Sequence, residues 1–236
     1  MLKRPLGHVF YCIGLTADFR SHPFDTVRAH VTVLSDLLEH ADFASLLYLS
    51  STRVYGRSTS TCETSVLSVS PEDPSDLYNL SKLLGESLCF ASSRASVRVA
   101  RLSNVIGAGM GSQSLVGELF HEALAGAIRL KTHPDSAKDY ILIDDVVRLL
   151  WRIADDGHDR IYNVASGVQT THREWLSALQ STTGCLVQTD DRAPYQTFGV
   201  IDIRRIRTEF RFEATRSLDA VPYLVQVVRR ELGSKG

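Results

Sequence analysis

The alternation of short apolar runs with helical repeats constrains the fold of this chain more than any other feature. Strand-length apolar runs occupy residues 9–13, 46–50 and 97–102. Between them, residues 25–40 and 77–94 carry apolar side chains at the spacing of an amphipathic helix. Strands that alternate with helices are typical of βαβ units, whose strands form a parallel sheet. The sequence therefore predicts an α/β fold.

The rest of the chain continues the same alternation. Residues 139–143 and 161–164 are predicted strands, and Thr171 with Glu174 forms a capping box that opens a helix. Further helices are predicted at residues 115–125, from 144 onward, at 203–210 and at 218–232. We expect residues 1–110 to form the first part of the sheet, and residues 111–236 to add the remaining strands and a small C-terminal region.

Composition excludes several classes of function. The formal net charge is −1, charged residues make up 22% of the 236 residues, and neither sign clusters. These values argue against nucleic acid or an anionic membrane surface as a partner. No apolar run approaches the roughly 18 residues of a membrane span. The four cysteines, Cys12, Cys62, Cys89 and Cys185, lack metal-ligand spacing, so we expect reduced thiols in a cytoplasmic protein and no metal site.

Tyr78 and Lys82 are candidates for proton chemistry. Because they are four residues apart on a predicted helix, their side chains lie on the same face, one turn apart. A nearby ammonium favours the ionised phenolate, so Lys82 is expected to lower the pKa of Tyr78. The pair then suits a general acid/base that acts on a hydroxyl or carbonyl group. Ser50 and Ser51 lie at the carboxyl end of a predicted parallel strand, where such sheets bind ligands.

An ordered series of motifs surrounds this pair. Together they resemble the extended short-chain dehydrogenase/reductases, specifically the NAD-dependent epimerase/dehydratase family that acts on nucleotide sugars. The motifs are Ser50-Ser51-x-x-Val54-Tyr55-Gly56, Tyr78-x-x-x-Lys82, Arg101-Leu102-Ser103-Asn104-Val105-Ile106-Gly107, Lys138-Asp139-Tyr140 with Asp144-Asp145-Val146, and Tyr162-Asn163-Val164-Ala165-Ser166-Gly167. The similarity extends over the chain from residue 8 onward.

The resemblance implies a Rossmann-like parallel sheet with flanking helices and a C-terminal substrate-binding region. It implies a nucleotide-sugar substrate, NAD or NADP as cofactor, and a homodimer formed through the helices predicted at residues 25–40 and 77–94. The resemblance implies that the catalytic residues are Ser51, Tyr78 and Lys82. It implies cofactor contacts from Gly14, Ser50, Tyr78 and Lys82. The implied substrate contacts are Thr52, Arg53, Ser103, Asn104 and Lys138. Dehydratases of the family have Asp-Glu where Thr52-Arg53 stand here, so the resemblance favours epimerisation or reduction.

The N-terminal part departs from the family. A strand, a Gly-x-x-Gly-x-x-Gly turn and a helix, which hold the cofactor pyrophosphate, are absent before Val9. The difference corresponds to roughly 60 residues in two βα units. The glycine-rich run at residues 107–111 matches the family's substrate-side loop instead.

This departure predicts an N-terminally truncated sheet in which residues 9–13 form an exposed edge strand. A partner that covers this edge, a rebuilt N-terminal region and an incomplete reading frame are three alternatives. The alternative function is a cofactor-independent acid/base enzyme or a non-catalytic binding subunit on the same fold.

Two single positions also differ from the family pattern. His30 stands where the family has an asparagine, and we interpret it as a packed or hydrogen-bonded histidine, with a proton relay as the alternative. Lys138 replaces an arginine and lacks its bidentate fork of donors.

The remaining polar candidates have structural interpretations. Asp144 and Asp145 are interpreted as helix caps rather than as an acid pair or a metal site. Glu86, one turn beyond Lys82, is expected to form an ion pair with it. Tyr55 is interpreted as a packing residue at the base of the following loop, with a cofactor contact as the alternative.

Overall fold

The structure is a computed structural model that describes residues 5–16 and 18–233. The chain divides into two compact units. The first unit consists of Met1–Ser103, Val147–Val164 and Ile201–Phe212, and the second of Asn104–Val146, Ala165–Val200 and Glu213–Gly236.

A four-stranded parallel sheet with flanking helices forms the first unit, as the sequence predicts for a Rossmann-like fold. The strands are β1 (Leu6–Tyr11), β2 (Phe43–Ser51), β3 (Val97–Leu102) and β7 (Ile161–Val164), in the order β1-β2-β3-β7. Every residue of β7 and most residues of β2 and β3 are buried. Strands covered on both faces have such near-continuous apolar sequences because no side of them meets water.

Helices cover this sheet. They are α1 (Pro23–Val27), α2 (Val33–His40), α3 (Asp76–Ala91) and α7 (Arg204–Phe210), joined by the part of α5 (Ile143–Asp156) from residue 147 onward. A π-helical segment, Arg28–Thr32, connects α1 to α2, so the helix predicted at residues 25–40 contains a wider turn. Such turns often occur at functional sites.

Strand β1 is an edge strand, as predicted, although it begins and ends earlier than residues 9–13. Within the described residues it pairs only with β2, from Leu6 opposite Phe43 to Tyr11 opposite Tyr48. On one face of β1 the ring of Trp151 stacks on Phe10 at a centroid distance of 6.0 Å and remains 56% exposed.

The second unit contains one six-residue strand and four three-residue strands around its own core. The strands are β4 (Asn104–Ile106), β5 (Ala127–Arg129), β6 (Ala137–Leu142), β8 (Gln169–Thr171) and β9 (Leu186–Gln188), paired as β4-β6-β8 and β5-β9. The helices are α4 (Leu115–Leu124), α6 (His172–Thr183) and α8 (Val221–Gly233). The largest buried side chains of the core include Phe120, Tyr140 and Trp175.

Helix-start patterns in the sequence predicted the first turns of α5 and α6 correctly. The capping box is present, because Thr171 accepts from the backbone of Glu174 and the Glu174 carboxylate accepts from the backbone of Thr171. Asp144 and Asp145 lie in the first turn of α5, and the buried Asp145 carboxylate also accepts a hydrogen bond from the Thr215 N–H at 2.8 Å. Across residues 5–16 and 18–233, no helix combines the length and the apolar composition that crossing a membrane requires.

Candidate active site

Helix α3 carries Tyr78 and Lys82 on one face near its N-terminus. Both residues are 5% exposed. The Lys82 Nζ lies 5.9 Å from the centroid of the Tyr78 ring and donates a hydrogen bond to the Leu49 carbonyl at 2.9 Å. Burial disfavours the ammonium and lowers the pKa of Lys82 to about 8. The spacing in the sequence therefore brings the two groups together, with the lysine anchored to strand β2.

Ser50 and Ser51 end strand β2 beside this helix, but their hydroxyls have different partners. The Ser51 hydroxyl accepts the Arg53 N–H at 3.2 Å, which caps the 3₁₀ turn Thr52–Tyr55, and its presence near Tyr78 acts to lower the pKa of that phenol. The Ser50 hydroxyl donates to Glu86 at 2.5 Å in the interior. Ser51 thus lies near the candidate acid/base.

The pKa of Tyr78 is raised rather than lowered, which differs from the expectation. Burial is the largest cause, and the hydrogen bond from Ser51 and the Arg53 guanidinium act in the opposite direction. The Arg53 Cζ lies 5.5 Å from the centroid of the Tyr78 ring. The cation that favours the phenolate here is therefore Arg53, whereas Lys82 is held at the Leu49 carbonyl.

Aromatic side chains enclose the Tyr78 ring. Phe19, which is 1% exposed, lies at a centroid distance of 5.5 Å, and the ring of His30 meets Tyr78 edge-on at 5.4 Å. Sequence reasoning missed Phe19 and its neighbour Arg20. A short polar loop after β1 carries no local pattern that shows which distant ring it will contact.

His30 is a buried, hydrogen-bonded histidine, as the sequence indicated. Its Nε2 accepts the Leu15 N–H at 3.2 Å, so the proton of the neutral ring is on Nδ1, which faces the Ser81 hydroxyl at 2.8 Å. Ser81 in turn donates to the Tyr78 carbonyl at 2.9 Å. Burial, together with the charge of Lys82, lowers the pKa of His30 to about 3.

Gly14 permits the loop after β1 to approach this histidine. A Cβ at Gly14 would lie 2.9 Å from the His30 Nε2 and 3.3 Å from the Lys82 Nζ. Glycine is therefore required for a close approach of the backbone. The predicted cofactor-contact residue thus adjoins Lys82 and the His30 ring.

Glu86 pairs with Arg101 and not with Lys82, so the predicted helix ion pair is wrong. Its carboxylate receives two hydrogen bonds from the Arg101 guanidinium, at 2.9 and 2.6 Å, and both side chains are buried. The Tyr55 hydroxyl accepts from Arg101 at 2.7 Å and donates to Asn163 at 2.9 Å. Tyr55 is therefore a buried residue at the base of the loop, as interpreted from the sequence. This network joins α3 to strands β3 and β7.

The other predicted substrate contacts lie at strand ends in separate units. In the first unit, the Thr52 hydroxyl donates to the Leu102 carbonyl at 3.3 Å, and the buried Ser103 hydroxyl has no hydrogen-bond partner. In the second unit, Asn104 donates to the Asp139 carbonyl at 2.8 Å, and the Lys138 Nζ lies 5.7 Å from the Phe198 ring centroid.

The glycine-rich run at residues 107–111 has a packing explanation. A Cβ at Gly107 would overlap the side chain of Ile143, so the backbone there approaches protein and not a ligand. In the part of the chain that the structure describes, no group of three or more His, Cys, Asp or Glu side chains is arranged to hold a metal ion.

Comparison with known families is consistent with this geometry. The family model described as the NAD dependent epimerase/dehydratase family matches residues 3–165, which include Ser51, Tyr78 and Lys82. The chain belongs to this family. Comparison with curated proteins found no significant match.

Solved structures share the fold of this epimerase/dehydratase-family protein at low sequence identity. One is TunA, an NAD-dependent NDP-hexosamine 5,6-dehydratase of tunicamycin biosynthesis, with a TM-score of 0.80 and 21% identity over 95% of this chain and 77% of that chain. Another is RMD from Pseudomonas aeruginosa complexed with NADPH, with a TM-score of 0.79 and 21% identity over 93% and 80% of the two chains. A third is UDP-glucuronic acid 4-epimerase from Bacillus cereus with UDP-glucuronic acid and NAD, with a TM-score of 0.75 and 20% identity over 92% and 72%.

Proposed function

We propose that this protein is an NAD- or NADP-dependent nucleotide-sugar epimerase or reductase in which Tyr78 is the general acid/base. The observation that carries the proposal is the assembly of Ser51, Tyr78 and Lys82 within one unit, at the carboxyl end of strand β2. Membership of the epimerase/dehydratase family supports it. So do the fold relatives, which hold NAD, NADPH or UDP-glucuronic acid.

In the proposed reaction the phenol of Tyr78 exchanges a proton with a sugar hydroxyl. Ser51, which lies near Tyr78, orients the same substrate oxygen, and Arg53 stabilises the phenolate form electrostatically. Dehydration is disfavoured because Thr52 and Arg53 provide no carboxyl group to accept a proton from the sugar carbon or to protonate the leaving hydroxyl. Further substrate contacts are proposed from Thr52, Ser103, Asn104 and Lys138.

Gly14, Ser50, Tyr78 and Lys82 are proposed to hold the cofactor. The position of Lys82 beside both Gly14 and the Tyr78 ring supports this assignment. When bound, a nicotinamide supplies hydride transfer, which side chains cannot carry out. Lys82 would donate hydrogen bonds to the ribose while its charge is held in place by the Leu49 carbonyl.

Calorimetric titration with NAD and NADP, combined with turnover of UDP-sugars, tests this proposal. We expect Tyr78→Phe to bind cofactor like the parent protein but to lose about 10²- to 10⁴-fold in turnover, the usual contribution of a general acid/base. The matched control is Tyr223→Phe, because Tyr223 is 64% exposed. Full activity of Tyr78→Phe would remove the acid/base role, and no binding at millimolar cofactor would exclude redox chemistry for this chain.

A second candidate is a cofactor-independent acid/base enzyme or a binding subunit. The observation that favours it is at Gly14, the predicted cofactor contact, where atoms of His30 and Lys82 already lie within 3.3 Å of the position of a Cβ. Retained turnover without NAD or NADP would select the enzyme, and specific binding of a nucleotide sugar without turnover would select the subunit.

We also propose a homodimer through α1, α2 and α3. Apolar side chains on these helices are exposed, including Phe24 at 77% and Leu84 at 50%. The other possible interface is a partner that covers edge strand β1. Light scattering with Leu84→Asp and Phe10→Asp variants separates these, because only a substitution in the interface lowers the measured molar mass.

A cytoplasmic location remains part of the proposal, since all four cysteines are free thiols.

A further inference from the structure

Two arginines converge beside Tyr78 from different loops. The Arg20 Cζ lies 4.5 Å and the Arg53 Cζ 5.0 Å from the centroid of the Phe19 ring. Both guanidiniums also contact Ser75, since Arg20 donates to its hydroxyl at 2.9 Å and Arg53 to its carbonyl at 3.5 Å. The shared ring and the shared serine bring the two cations close together at the N-terminus of α3.

Neither cation has an ion-pair partner among the described residues. The nearby carboxylates of Asp73 and Asp76 both pair with Arg57 instead, at 2.5 and 3.4 Å. Burial and the charge of Arg20 lower the pKa of the half-buried Arg53. The charges of Asp76 and Asp73 act in the opposite direction on Arg53 without forming an ion pair with it, so a bound anion would offset the remaining repulsion between the two guanidiniums.

The geometry points to an oxyanion-binding site formed by Arg20 and Arg53 next to Tyr78, for a carboxylate or a phosphate group. Each guanidinium presents a planar fork of donors that matches these groups. Arg53 contacts the ring of the proposed acid/base, so the anion belongs to a molecule that reaches the reacting centre. That this molecule is a nucleotide sugar rests on the proposed function. The anion site itself does not depend on the proposed function.

Phe19 gives the site its shape. Its ring, on the loop after β1, is buried against Tyr78, and both guanidinium groups lie over it. A guanidinium group that stacks face-on against an aromatic ring is held in position, while the N–H donors at its edge can still bind a ligand. The arrangement thus orders two cations before an anion binds, which lowers the entropic cost of binding.

Isothermal titration of the full chain with three probes tests the site. UDP-glucuronic acid and UDP-glucose share nucleotide and diphosphate and differ in one carboxylate, while inorganic phosphate lacks both sugar and nucleotide. The variants are Arg20→Gln and Arg53→Gln, with Arg207→Gln, an exposed residue of α7, as the matched control. Arg53→Lys keeps the charge and the stem, and circular dichroism confirms that each variant is folded.

If the anion is a sugar carboxylate, we expect the parent protein to bind UDP-glucuronic acid about tenfold or more tightly than UDP-glucose. Both glutamine variants should then lose this difference in affinity. A phosphate as the anion predicts that the variants weaken both nucleotide sugars and inorganic phosphate by a similar factor. Arg207→Gln changes nothing in either case, and Arg53→Lys falls between parent and Arg53→Gln.

Unchanged affinities of the glutamine variants for all three probes would overturn the inference. The proposed function would survive that result if the nucleotide sugars still bound. Conversely, arginine-dependent binding of inorganic phosphate, with no binding of either nucleotide sugar, would keep the anion site and reject the proposed substrate class.

Discussion

His30 makes the stability of the first unit sensitive to acid, and the size of the effect follows from its surroundings. The ring is fully buried, and its Nε2 must be unprotonated to accept the Leu15 N–H. Protonation at Nε2 would break that hydrogen bond and bury a second positive charge near Lys82. For this reason the pKa of His30 falls from 6.5 to about 3 on folding.

The sign and magnitude come from proton linkage. Because the folded pKa is lowered, the unfolded chain binds the proton first, so stability falls as the pH drops below 6.5 and the loss ends near pH 3. Each pH unit in this window costs about 1.4 kcal/mol. Between about pH 7.5 and about pH 5, His30 alone should therefore remove about 2 kcal/mol of the free energy of unfolding.

Urea unfolding of the parent protein and of His30→Asn at these two pH values measures the effect. We expect the variant to be less stable at the higher pH but to lose about 2 kcal/mol less between the two. His172→Asn is the comparison in the second unit, because burial also lowers the pKa of His172, to about 4. An identical pH dependence of the parent and His30→Asn would refute the reasoning, since no buried neutral histidine would then be titrating.

Three further substitutions have expected outcomes. Lys82→Met should abolish turnover yet raise the free energy of unfolding by about 1 to 3 kcal/mol at neutral pH, because burial penalises the ammonium below its pKa of about 8. Glu86→Gln should cost about 3 to 5 kcal/mol in urea unfolding, because it leaves the buried Arg101 guanidinium without its carboxylate. Gly85→Ala should cost about 1 to 3 kcal/mol in the same assay, because a Cβ there overlaps the Tyr48 hydroxyl.

Matched controls separate these effects from general damage. Asp135→Asn breaks an exposed pair with Arg173 and should leave the unfolding midpoint unchanged, unlike Glu86→Gln. Gly7→Ala meets no atom within 4 Å and should also be neutral. Equal losses for Glu86→Gln and Asp135→Asn would contradict the role given to burial, and a neutral Gly85→Ala would contradict the packing at Tyr48. A destabilised Lys82→Met would show that the lysine stabilises the fold.

The sequence by itself determined the features that depend on local spacing. Alternating strands and helices predicted the parallel sheet because residue periodicity decides which face of an element is apolar. The four-residue spacing placed Tyr78 and Lys82 on one helix face, and the capping box at Thr171 depends only on its own turn. The ordered motifs placed the chain in its family. Four three-residue strands were missed because such short runs carry no periodicity of their own.

Only the tertiary structure decided the electrostatics of the site. Glu86 pairs with Arg101 because folding brings helix α3 against strand β3, and no helix spacing contains that contact. Tyr78 has a raised pKa because Phe19 and His30 enclose its ring, and Arg53 rather than Lys82 opposes that shift. How deeply a side chain is buried, and how far it lies from a charged group, depend on which distant residues the fold brings together. The sequence names the groups that can exchange a proton, and the fold sets how readily each one does.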